Sequence, residues 1–590
     1  MDPVSSGGAI ERPSPSPPVA SSGVVRVGNC SGFYGDRLSA MREMLTGGEL
    51  DVLTGDYLAE LTMHILGRDR AKDQELGYAR TFLTQLRDCL GLVLERGVRI
   101  VANAGGVNTP GLVAAIRQVA DQAGLEVKVA HVRGDDLTAE QGRHGFRDAL
   151  GVHAYLGAFG IAEALRSGAD IVVTGRVTDA SLVIGPAIAH FGWSRSDLDA
   201  LAGATVAGHV IECGTQATGG NYPFFTEIDD LTRPGFPIAE IAADGSSVIT
   251  KHPGTGGAVT VDTVTAQLVY EIGDARYGGP DVTTRLDSVQ LSQVGTDRVR
   301  ISGARGEPPP PEVKVSVTSV GGYRNEMTAV VTGLDVDAKV ELFQRQFADA
   351  YDREPAELEW RIARLGVADA ETEQQAASLV TVVARDPDPV VVGRSFSSAA
   401  VEVALGCFPG YWITTPPTPA APYGVFTPGY VPQAAITHEV VLDSGAVVGI
   451  TPPEATLALE PLTGTPASGA VASGPTTRAP LGRLVAARSG DKGGNANVGL
   501  WTRGDAAYRW LCATLTEQRL RDLLPEAREL PIHLIWLPNI RAINIVIEGI
   551  LGRGVAYNAR FDAQAKGLGE WLRARHLDLP TELLGEGSPS

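Results

Sequence analysis

The sequence predicts an α/β protein with a large N-terminal domain built on a mostly parallel sheet, an α+β extension of that domain, and a small C-terminal α/β sandwich. Between residues 24 and 204, short apolar segments alternate with segments of 3.6-residue periodicity, which is typical of strands joined by crossover helices. From about 205 to 451 the helical periodicity weakens. A stretch at 452–480, rich in Pro, Gly, Ala and Thr, then separates a final unit.

The first part of the chain alternates strand and helix signals. A strand is predicted from Val24, followed by a Gly-rich loop and a helix from about Asp36. Gly97 is typical of a helix end, and Pro110 of a first helical turn. Further strands are predicted at ELDVLTG, VRIVANAG, LEVKVAHVRG and ADIVVTGRV, and further helices at LAELTMHILGRDR, YARTFLTQLRDCLGLVLERG, NTPGLVAAIRQVADQAG and AYLGAFGIAEALRSG.

The stretch from about 205 to 451 is dominated by Val, Thr, Gly and Pro. This composition is typical of strands, and only the segment AKVELFQRQFADAYD carries a clear helix signal. We therefore expect an α+β extension of the first domain here. The strand-like segments include VTVDTVTAQLVYEIGD, VKVSVTSVGG, TAVVTG and HEVVLDSG.

The last unit, residues 481–578, is predicted to contain four strands and two helices, which favours a ferredoxin-like sandwich. The stretch 452–480 is predicted to be a linker. Residues 1–23, rich in Ser and Pro, are predicted to be a disordered tail, and 579–590 a second tail. The strands are expected at LGRLVAAR, NVGLWTR, IHLIWLPN and AINIVIEG, and the helices at AYRWLCATLTEQRLRDLLP and FDAQAKGLGEWLRARH.

Composition and charge disfavour several classes of function. The chain has 590 residues, too many for a single hydrophobic core, and a formal net charge of −19. Because phosphate binding needs a basic surface, this charge disfavours a nucleic-acid partner. The five dispersed cysteines, without a C-x-x-C, indicate a reducing cytoplasm. We expect neither a signal peptide nor a membrane span, and a homo-oligomer is the default expectation.

Common catalytic motifs are missing from the sequence. It contains no G-x-G-x-x-G after a strand, no G-x-x-x-x-G-K-[ST], no G-x-S-x-G and no H-E-x-x-H. The ten histidines show no ligand-like spacing. Classical dinucleotide binding, Walker-type hydrolysis, α/β-hydrolase chemistry and zincin chemistry are therefore disfavoured.

Polar loops follow the predicted parallel strands, where ligands of such sheets usually bind. The loop after the first strand leads to a helix N-terminus, whose free N–H groups attract anions. Its Asn29, Ser31 and Tyr34 exceed what a turn requires. The alternative is a tight turn in which Asp36 caps the helix. The loops are GNCSGFYGD, TGDY, NAGGVN, RGDD and TGRVTD.

Three of the later loops add candidate residues. Asp56 in TGDY suits a catalytic base or a metal ligand, and equally a helix cap. In NAGGVN, two glycines between Asn103 and Asn108 allow a ligand to approach the backbone closely. Arg176 in TGRVTD suits a carboxylate or phosphate ligand, and the alternative is a structural pair of Arg176 with Asp179.

The segment GHVIECGTQATGGNY contains His209, Glu212 and Asn221. His209 and Glu212 are an acid/base pair in principle, or two ligands of a metal. They share a face in a helix and oppose each other in a strand, and the sequence leaves both arrangements open. A structural histidine is the alternative. In TKHPGTGG, Lys251 precedes a Gly-rich turn that can present backbone amides to an anion.

The segment RSGDKGGNAN, residues 488–497, has two interpretations. It is either a tight hairpin turn between two strands or a loop that binds a ligand. A two-residue turn needs one Gly and at most an Asn, so the extra polar residues favour the loop. We expect it to project toward the large domain, since ligands often bind at domain interfaces. Lys492 would supply positive charge, and Asp491, Asn495 and Asn497 complete the set.

Taken together, these loops resemble those of the acyclic terpene utilization AtuA family. The resemblance covers residues 24 to 578, apart from the linker, and implies a large N-terminal domain followed by a ferredoxin-like domain. The matching stretches are GNCSGFYGDR, LTGDYLAELTM, NAGGVN, VTGRVTDASL, GHVIECGTQATGGNY, TKHPGTGGAVTVDTVTAQLVYEIGD and RSGDKGGNANVG.

The resemblance implies a function. The family is similar to proteins found beside geranyl-CoA carboxylase, so we expect an enzyme acting on a branched or hydroxylated acyl-CoA thioester. A carbon–carbon lyase or hydratase would need a base and a partner for an enolate-like anion. A divalent metal is left open. The base would be His209, Glu212 or Asp56, and the anion would be held by Asn29, Asn103, Arg176 and Lys492.

Two other functions are left open by the sequence. The first is a non-catalytic partner of a biotin-dependent acyl-CoA carboxylase, which predicts co-purification without turnover by the chain alone. The second is an enzyme of secondary metabolism acting on a carboxylic acid that carries no coenzyme A. This second alternative predicts that free acids bind and that coenzyme A does not.

Overall fold

The computed structural model describes residues 23–472 and 474–584. Within them the chain is mixed α/β, with a large sheet-rich N-terminal domain and a ferredoxin-like C-terminal domain. The tail predicted at residues 1–23 lies outside the described residues except for Gly23, as do residues 585–590.

The helices and strands of the first domain come from both halves of its sequence. The strands described there are β1 (Val24–Asn29), β2 (Val52–Gly55), β3 (Arg99–Ala102), β4 (Val129–Arg133), β5 (Gly151–Ala154), β6 (Ile171–Val173), β7 (Pro237–Ala242), β8 (Ser247–Lys251), β9 (Arg276–Gly278), β10 (Thr283–Arg285), β11 (Gln290–Gly295), β12 (Arg298–Ser302), β13 (Arg305–Glu307), β14 (Glu312–Thr332), β15 (Glu357–Ala363), β16 (Ala377–Asp386), β17 (Trp412–Ile413), β18 (Ala421–Pro432), β19 (Glu439–Val441) and β20 (Val447–Gly449). The helices described there are α1 (Ala40–Gly47), α2 (Glu60–Lys72), α3 (Arg80–Arg96), α4 (Thr109–Ala123), α5 (Phe159–Arg166), α6 (Ser181–Phe191), α7 (Leu198–Ile211), α8 (Val261–Leu268), α9 (Val336–Ala350) and α10 (Phe396–Glu402).

The main sheet has a parallel centre and antiparallel flanks. Its strand order is β11-β12-β8-β7-β1-β2-β3-β6-β4-β19-β20, and the neighbours from β1 to β4 run parallel. Strands β2, β3 and β6 are almost wholly apolar and buried, as expected when helices cover both faces. The sequence assigned residues 205–451 to an extension, but six strands from that stretch complete the two flanks of this sheet.

A second sheet lies beside the first. Its order is β15-β16-β14-β17, and the 21-residue strand β14 also pairs with β18 and β5. Strand β5 thereby joins the second sheet, while the segments before and after it in the chain belong to the first. The long β14–β18 ribbon brings its residues near the carboxyl ends of the parallel strands, because β5 holds it there.

The C-terminal domain is a four-stranded antiparallel sheet in the order β22 (Ala486–Lys492), β23 (Asn495–Trp501), β25 (Ala542–Ile547) and β24 (Ile532–Leu537), and α13 (Leu568–Ala574) packs on β22. Residues Thr476–Pro480 pair with the last strand, so the domain's structure begins inside the stretch predicted as a linker. The end of that last strand and a short helix likewise occupy residues 579–584 of the predicted tail. The elements are β21 (Thr476–Pro480), β22 (Ala486–Lys492), β23 (Asn495–Trp501), β24 (Ile532–Leu537), β25 (Ala542–Ile547), β26 (His576–Pro580), α11 (Asp505–Thr514), α12 (Glu517–Leu523), α13 (Leu568–Ala574) and α14 (Thr581–Leu584).

Two predicted helices differ from the structure, one in its first residue and one in its continuity. Helix α1 begins at Ala40 and not at Asp36, because the Asp36 carboxylate accepts the backbone N–H of Gly32 (2.9 Å) and holds the preceding loop. The helix predicted at AYRWLCATLTEQRLRDLLP is two helices, and Thr516 caps the second by accepting a hydrogen bond from the Arg519 N–H (3.2 Å). No helix in the described parts of the chain is long and apolar enough to cross a membrane.

The prediction of a strand in VTVDTVTAQLVYEIGD was wrong, since residues Val261–Leu268 form α8. Its β-branched residues are buried against neighbouring helices, and a capping box starts it: the Thr260 and Thr263 hydroxyls each accept the other's backbone N–H. Tertiary packing and the cap together outweigh the low helix propensity of Val and Thr.

Thr260→Ala is expected to destabilise the protein by about 1 kcal/mol, the usual effect of losing an N-cap. The reason is that the backbone N–H of Thr263 loses its acceptor. Denaturant unfolding measures the difference, and Thr260→Ser, which keeps the hydroxyl, is the control. Equal stability of all three proteins would contradict this role of the cap.

Candidate functional site

The carboxyl ends of β1, β2, β3 and β6 bring polar side chains together at one edge of the main sheet. Asn103 donates to the Asp56 carboxylate (2.6 Å) and accepts the backbone N–H of Tyr57 (2.7 Å), so it holds Asp56 in place. Asn29 accepts the backbone N–H of Ser31 (2.9 Å) and approaches the Glu212 carbonyl at 3.4 Å. These asparagines therefore orient the edge of the site.

Loop 30–36 packs directly against the end of α7. A Cβ atom on Gly32 would lie 2.6 Å from the backbone carbon of Cys213, so only glycine allows this approach. The contact brings the β1 loop and the residues that follow α7 into one wall of the site.

Arg176 is the central cation of this edge. Its guanidinium donates to the Leu58 carbonyl (2.9 Å), lies 3.3 Å from Asp179, and stands 4.2 Å from the centre of the Tyr155 ring. Its Nε is buried and has no hydrogen-bond partner in residues 23–472 and 474–584. The Tyr155 hydroxyl donates to Glu60 (2.9 Å).

His209 and Glu212 share one face at the end of α7, which settles the question that the sequence left open. His209 Nδ1 lies 3.1 Å from a Glu212 carboxylate oxygen, and the imidazole is 5.3 Å from the ring of Tyr277. Its Nε2 is buried and has no hydrogen-bond partner among the described residues, and the Gln267 backbone lies close to the imidazole. Burial, with the charge of Lys492, lowers the pKa of His209 to about 4, so the imidazole is neutral at neutral pH.

Three carboxyl groups crowd the space between Arg176 and His209. Burial raises the pKa of Asp56 and Glu212 well above the usual range, and the negative charge of Asp179 adds to both effects. The pKa of Asp179 itself is raised by burial, against the charge of Arg176. Its side chain nevertheless keeps 32% of its surface exposed, so this part of the site is open to solvent. A carboxyl that stays protonated near neutral pH can donate a proton.

The C-terminal domain completes the site with the β22–β23 hairpin. Residues 488–497 are not a loop: Lys492 pairs with Asn495 across a two-residue Gly493–Gly494 turn. The hairpin tip does reach the large domain, because Lys492 Nζ donates to the Glu271 carbonyl (2.5 Å). The strand pattern was hidden by polar residues that face the domain interface.

A second group of charges lies behind this hairpin. Arg488 stands 4.2 Å from the Tyr270 ring and donates to Gln216 (2.5 Å). Lys566 lies 3.6 Å from Asp491 and donates to the hydroxyl of the same tyrosine. Burial raises the pKa of Asp491 to about 6. Both domains thus contribute charged side chains to one interface.

Comparison with family models identifies the chain. The model of the acyclic terpene utilisation family protein AtuA matches residues 25–442, and that of the AtuA ferredoxin-like domain matches residues 479–578. The chain belongs to the AtuA family. A comparison with curated proteins gives no match.

Several predicted site residues of this AtuA chain lie apart from the charged edge. Asn108 caps α4 by accepting the Gly111 N–H (3.1 Å). Lys251 pairs with Asp297 (3.1 Å), and Asn495 accepts the Gly549 N–H (2.9 Å). Asn221 is exposed and has a φ of 55°, which is typical of a turn. The backbone carbonyl of Tyr34 accepts a hydrogen bond from the Thr81 hydroxyl. Asn497 lies at the domain interface, where both atoms of its amide bond protein groups.

The structure adds residues that the sequence did not single out. Four of them lie inside the stretches that resemble the family, so those motifs could have indicated them: Glu60, Tyr270, Glu271 and Arg488. Four others lie outside those motifs, and nothing in their local sequence marks them: Tyr155, Tyr277, Lys314 and Lys566. Lys314 lies on β14, 3.5 Å from Glu60.

The described residues contain no group of three or more His, Cys, Asp or Glu side chains arranged to hold a metal ion. Asp56, Asp179 and Glu212 influence one another's charge, yet their oxygens do not converge on a common point. The arrangement supplies proton donors, a neutral imidazole and cations, which suit acid–base chemistry on an anionic species.

His209 makes the stability of the AtuA chain depend on pH. Its pKa is about 4 in the folded state, against about 6.5 in an unfolded chain, so the unfolded state takes up a proton first as the pH falls. The stability that neutral His209 contributes is present above pH 6.5 and is lost as the pH falls toward 4. The raised pKa values of Asp56 and Glu212 act in the opposite sense, so only a comparison of variants isolates this effect.

Between pH 7 and pH 5, we expect the free energy of unfolding of His209→Gln to rise by about 2 kcal/mol relative to that of the wild type. Urea unfolding of both proteins at each pH measures the change. A difference in unfolding free energy that is independent of pH would contradict a neutral, buried His209.

Proposed function

We propose that this chain is an enzyme that cleaves or hydrates a branched or hydroxylated acyl-CoA thioester in the metabolism of acyclic terpenes or branched acids. The observation that carries the proposal is the His209–Glu212 pair, in which a neutral imidazole is oriented 3.1 Å from a carboxyl group beside buried Arg176. A base next to a fixed cation is what enolate chemistry needs. The family's description supplies the metabolic setting.

In the cleavage reaction, His209 takes the proton of the substrate's 3-hydroxyl group. The hydroxyl carbon becomes a carbonyl, the bond between carbons 2 and 3 breaks, and its electron pair forms the enolate of the departing thioester. Protonated Asp56 or Glu212 then returns a proton to carbon 2. In the hydration reaction, His209 instead takes a proton from water, whose oxygen adds to carbon 3, and carbon 2 is protonated in the same way.

The remaining predicted residues support this chemistry in the proposal. Arg176 stabilises the developing enolate oxygen, since its buried Nε has no hydrogen-bond partner among the described residues. Asn103 fixes Asp56, and Asn29 with Ser31 fixes the neighbouring loop. Asp179 holds the guanidinium from the exposed side.

Mass spectrometry of an acyl-CoA panel incubated with the purified chain tests the proposal. The panel contains enoyl, 3-hydroxyacyl and 3-hydroxy-3-methylglutaryl-type thioesters, with and without Mg²⁺, Zn²⁺ or chelator. A gain of one water indicates hydration, and release of a smaller thioester indicates cleavage. Survival of every thioester under all conditions contradicts the proposal and moves the search to free acids and to acyl-CoA carboxylase subunits.

A further inference from the structure

Two lysines from different domains meet at the mouth of the site. Lys314 lies on β14 of the large domain, and its ammonium is 5.3 Å from the centre of the Phe426 ring on β18. Lys492 lies at the tip of the β22–β23 hairpin, where the next residue, Gly493, approaches the same ring: a Cβ built there would lie 3.6 Å from it. Phe426 therefore brings the two cations to one place.

Each lysine has few polar contacts among the described residues. Lys314 contacts Glu60 at 3.5 Å, longer than a normal charge-assisted hydrogen bond, and otherwise faces the Tyr155 ring at 4.7 Å. Lys492 donates to a backbone carbonyl and forms no ion pair with a carboxylate in the described part of the chain. An ammonium group has three donors, so each lysine keeps donors for another acceptor.

The charges around the two lysines are of both signs, because Glu271 and Glu60 act on Lys492 against the positive charge of Lys314. Deeper in the site, burial raises the pKa of Asp56 and of Glu212, which weakens their tendency to carry a negative charge beside Arg176. Burial lowers the pKa of Lys492, and repulsion from the positive charge of Lys314 lowers it further. An anion placed between the two ammonium groups would relieve this repulsion.

We infer that Lys314 and Lys492 together bind an anionic group of the substrate, a carboxylate or a phosphate, and that the bound ligand bridges the two domains. The inference rests on the proposed function only in taking this interface as the substrate site. The substrate then carries a negative group at a distance from the reacting carbons, whether a second carboxylate of the acyl chain or a phosphate of coenzyme A.

Isothermal titration at constant ionic strength tests the inference with two probes, sodium glutarate and inorganic phosphate. We expect wild-type protein to bind at least one of them, and Lys314→Met and Lys492→Met each to weaken that binding about 10-fold or more. Lys339→Met is the matched control, because Lys339 also donates to a backbone carbonyl (2.8 Å) but lies on α9, far from the site. If only glutarate binds, the anionic group of the substrate is a carboxylate. If only phosphate binds, it is a phosphate.

Lys492→Arg keeps the charge and should retain most of the binding, which separates loss of the anion site from misfolding. The inference is overturned if wild-type protein binds neither probe, or if both methionine variants bind as the wild type does. Thioester turnover with unchanged anion binding in those variants would overturn the inference and leave the proposed function standing. Anion binding that depends on both lysines, without turnover of any thioester, would support the inference and contradict the proposed function.

Discussion

His209→Gln is expected to lower kcat for the thioester reaction by about 10²- to 10⁴-fold, the usual contribution of a general base. Glutamine keeps a polar side chain of similar reach but cannot take up the proton. Because the substrate's anionic group is bound by Lys314 and Lys492, KM should change far less than kcat. Steady-state kinetics on the thioester identified by the panel measure both constants.

His190→Gln is the control for this variant, because His190 is an exposed histidine at the end of α6. It should turn over like the wild type. If His209→Gln retained wild-type kcat with a normal fold, the base would have to be another group, and the assignment of the His209–Glu212 pair would be wrong.

The second large expected effect is on stability: Asn497→Ala should destabilise the protein by about 2–4 kcal/mol. Asn497 is buried, accepts the Glu271 N–H (2.7 Å), and donates to the Val269 carbonyl (3.1 Å) and to Asn544. Asn544 in turn donates to the Ile272 carbonyl (3.0 Å). Loss of the Asn497 amide removes the partner of the Glu271 N–H, of the Val269 carbonyl and of the Asn544 side-chain oxygen in the interface between the domains.

Asn495→Ala is the matched control, since Asn495 lies two residues away in the same strand, is partly exposed and makes one hydrogen bond. Asn495→Ala should lower the free energy of unfolding by about 1 kcal/mol or less. Denaturant unfolding compares the two variants. Equal losses, or a loss for Asn497→Ala below 1 kcal/mol, would contradict the role of this asparagine in joining the domains.

Local sequence patterns predict the parallel core of the main sheet but not how its antiparallel flanks are attached. Buried strands such as Arg99–Ala102 and helices such as Arg80–Arg96 have clear apolar patterns, and the chain terminates the latter with Gly97 in a left-handed conformation. The antiparallel flanks are three hairpins, β7–β8, β11–β12 and β19–β20. Their attachment to the parallel core depends on pairings between strands distant in sequence, which no local pattern records. Helix α8 was missed because its Val and Thr residues favour strands, whereas burial and the capping box of Thr260 and Thr263 stabilise a helix.

The site divides in the same way. Asp56, Asn103 and Arg176 could be predicted to lie together because each follows a parallel strand, and strand ends meet at one edge of a sheet. Lys314 could not, since it lies near the start of β14, a strand of a different sheet. The Gly493–Gly494 turn was misinterpreted because polar residues flank it, and they are explained by the interface they face.

The central claim is that the interface between the domains generates and protonates an enolate, and isotope incorporation tests it most directly. Both proposed reactions place a proton from the enzyme or solvent on carbon 2 of the thioester product. When the reaction runs in D₂O, we predict one deuterium at that carbon in the product formed by the wild type, and strongly reduced product formation with His209→Gln. Product formed without deuterium at carbon 2, or at an equal rate by both proteins, would contradict the account.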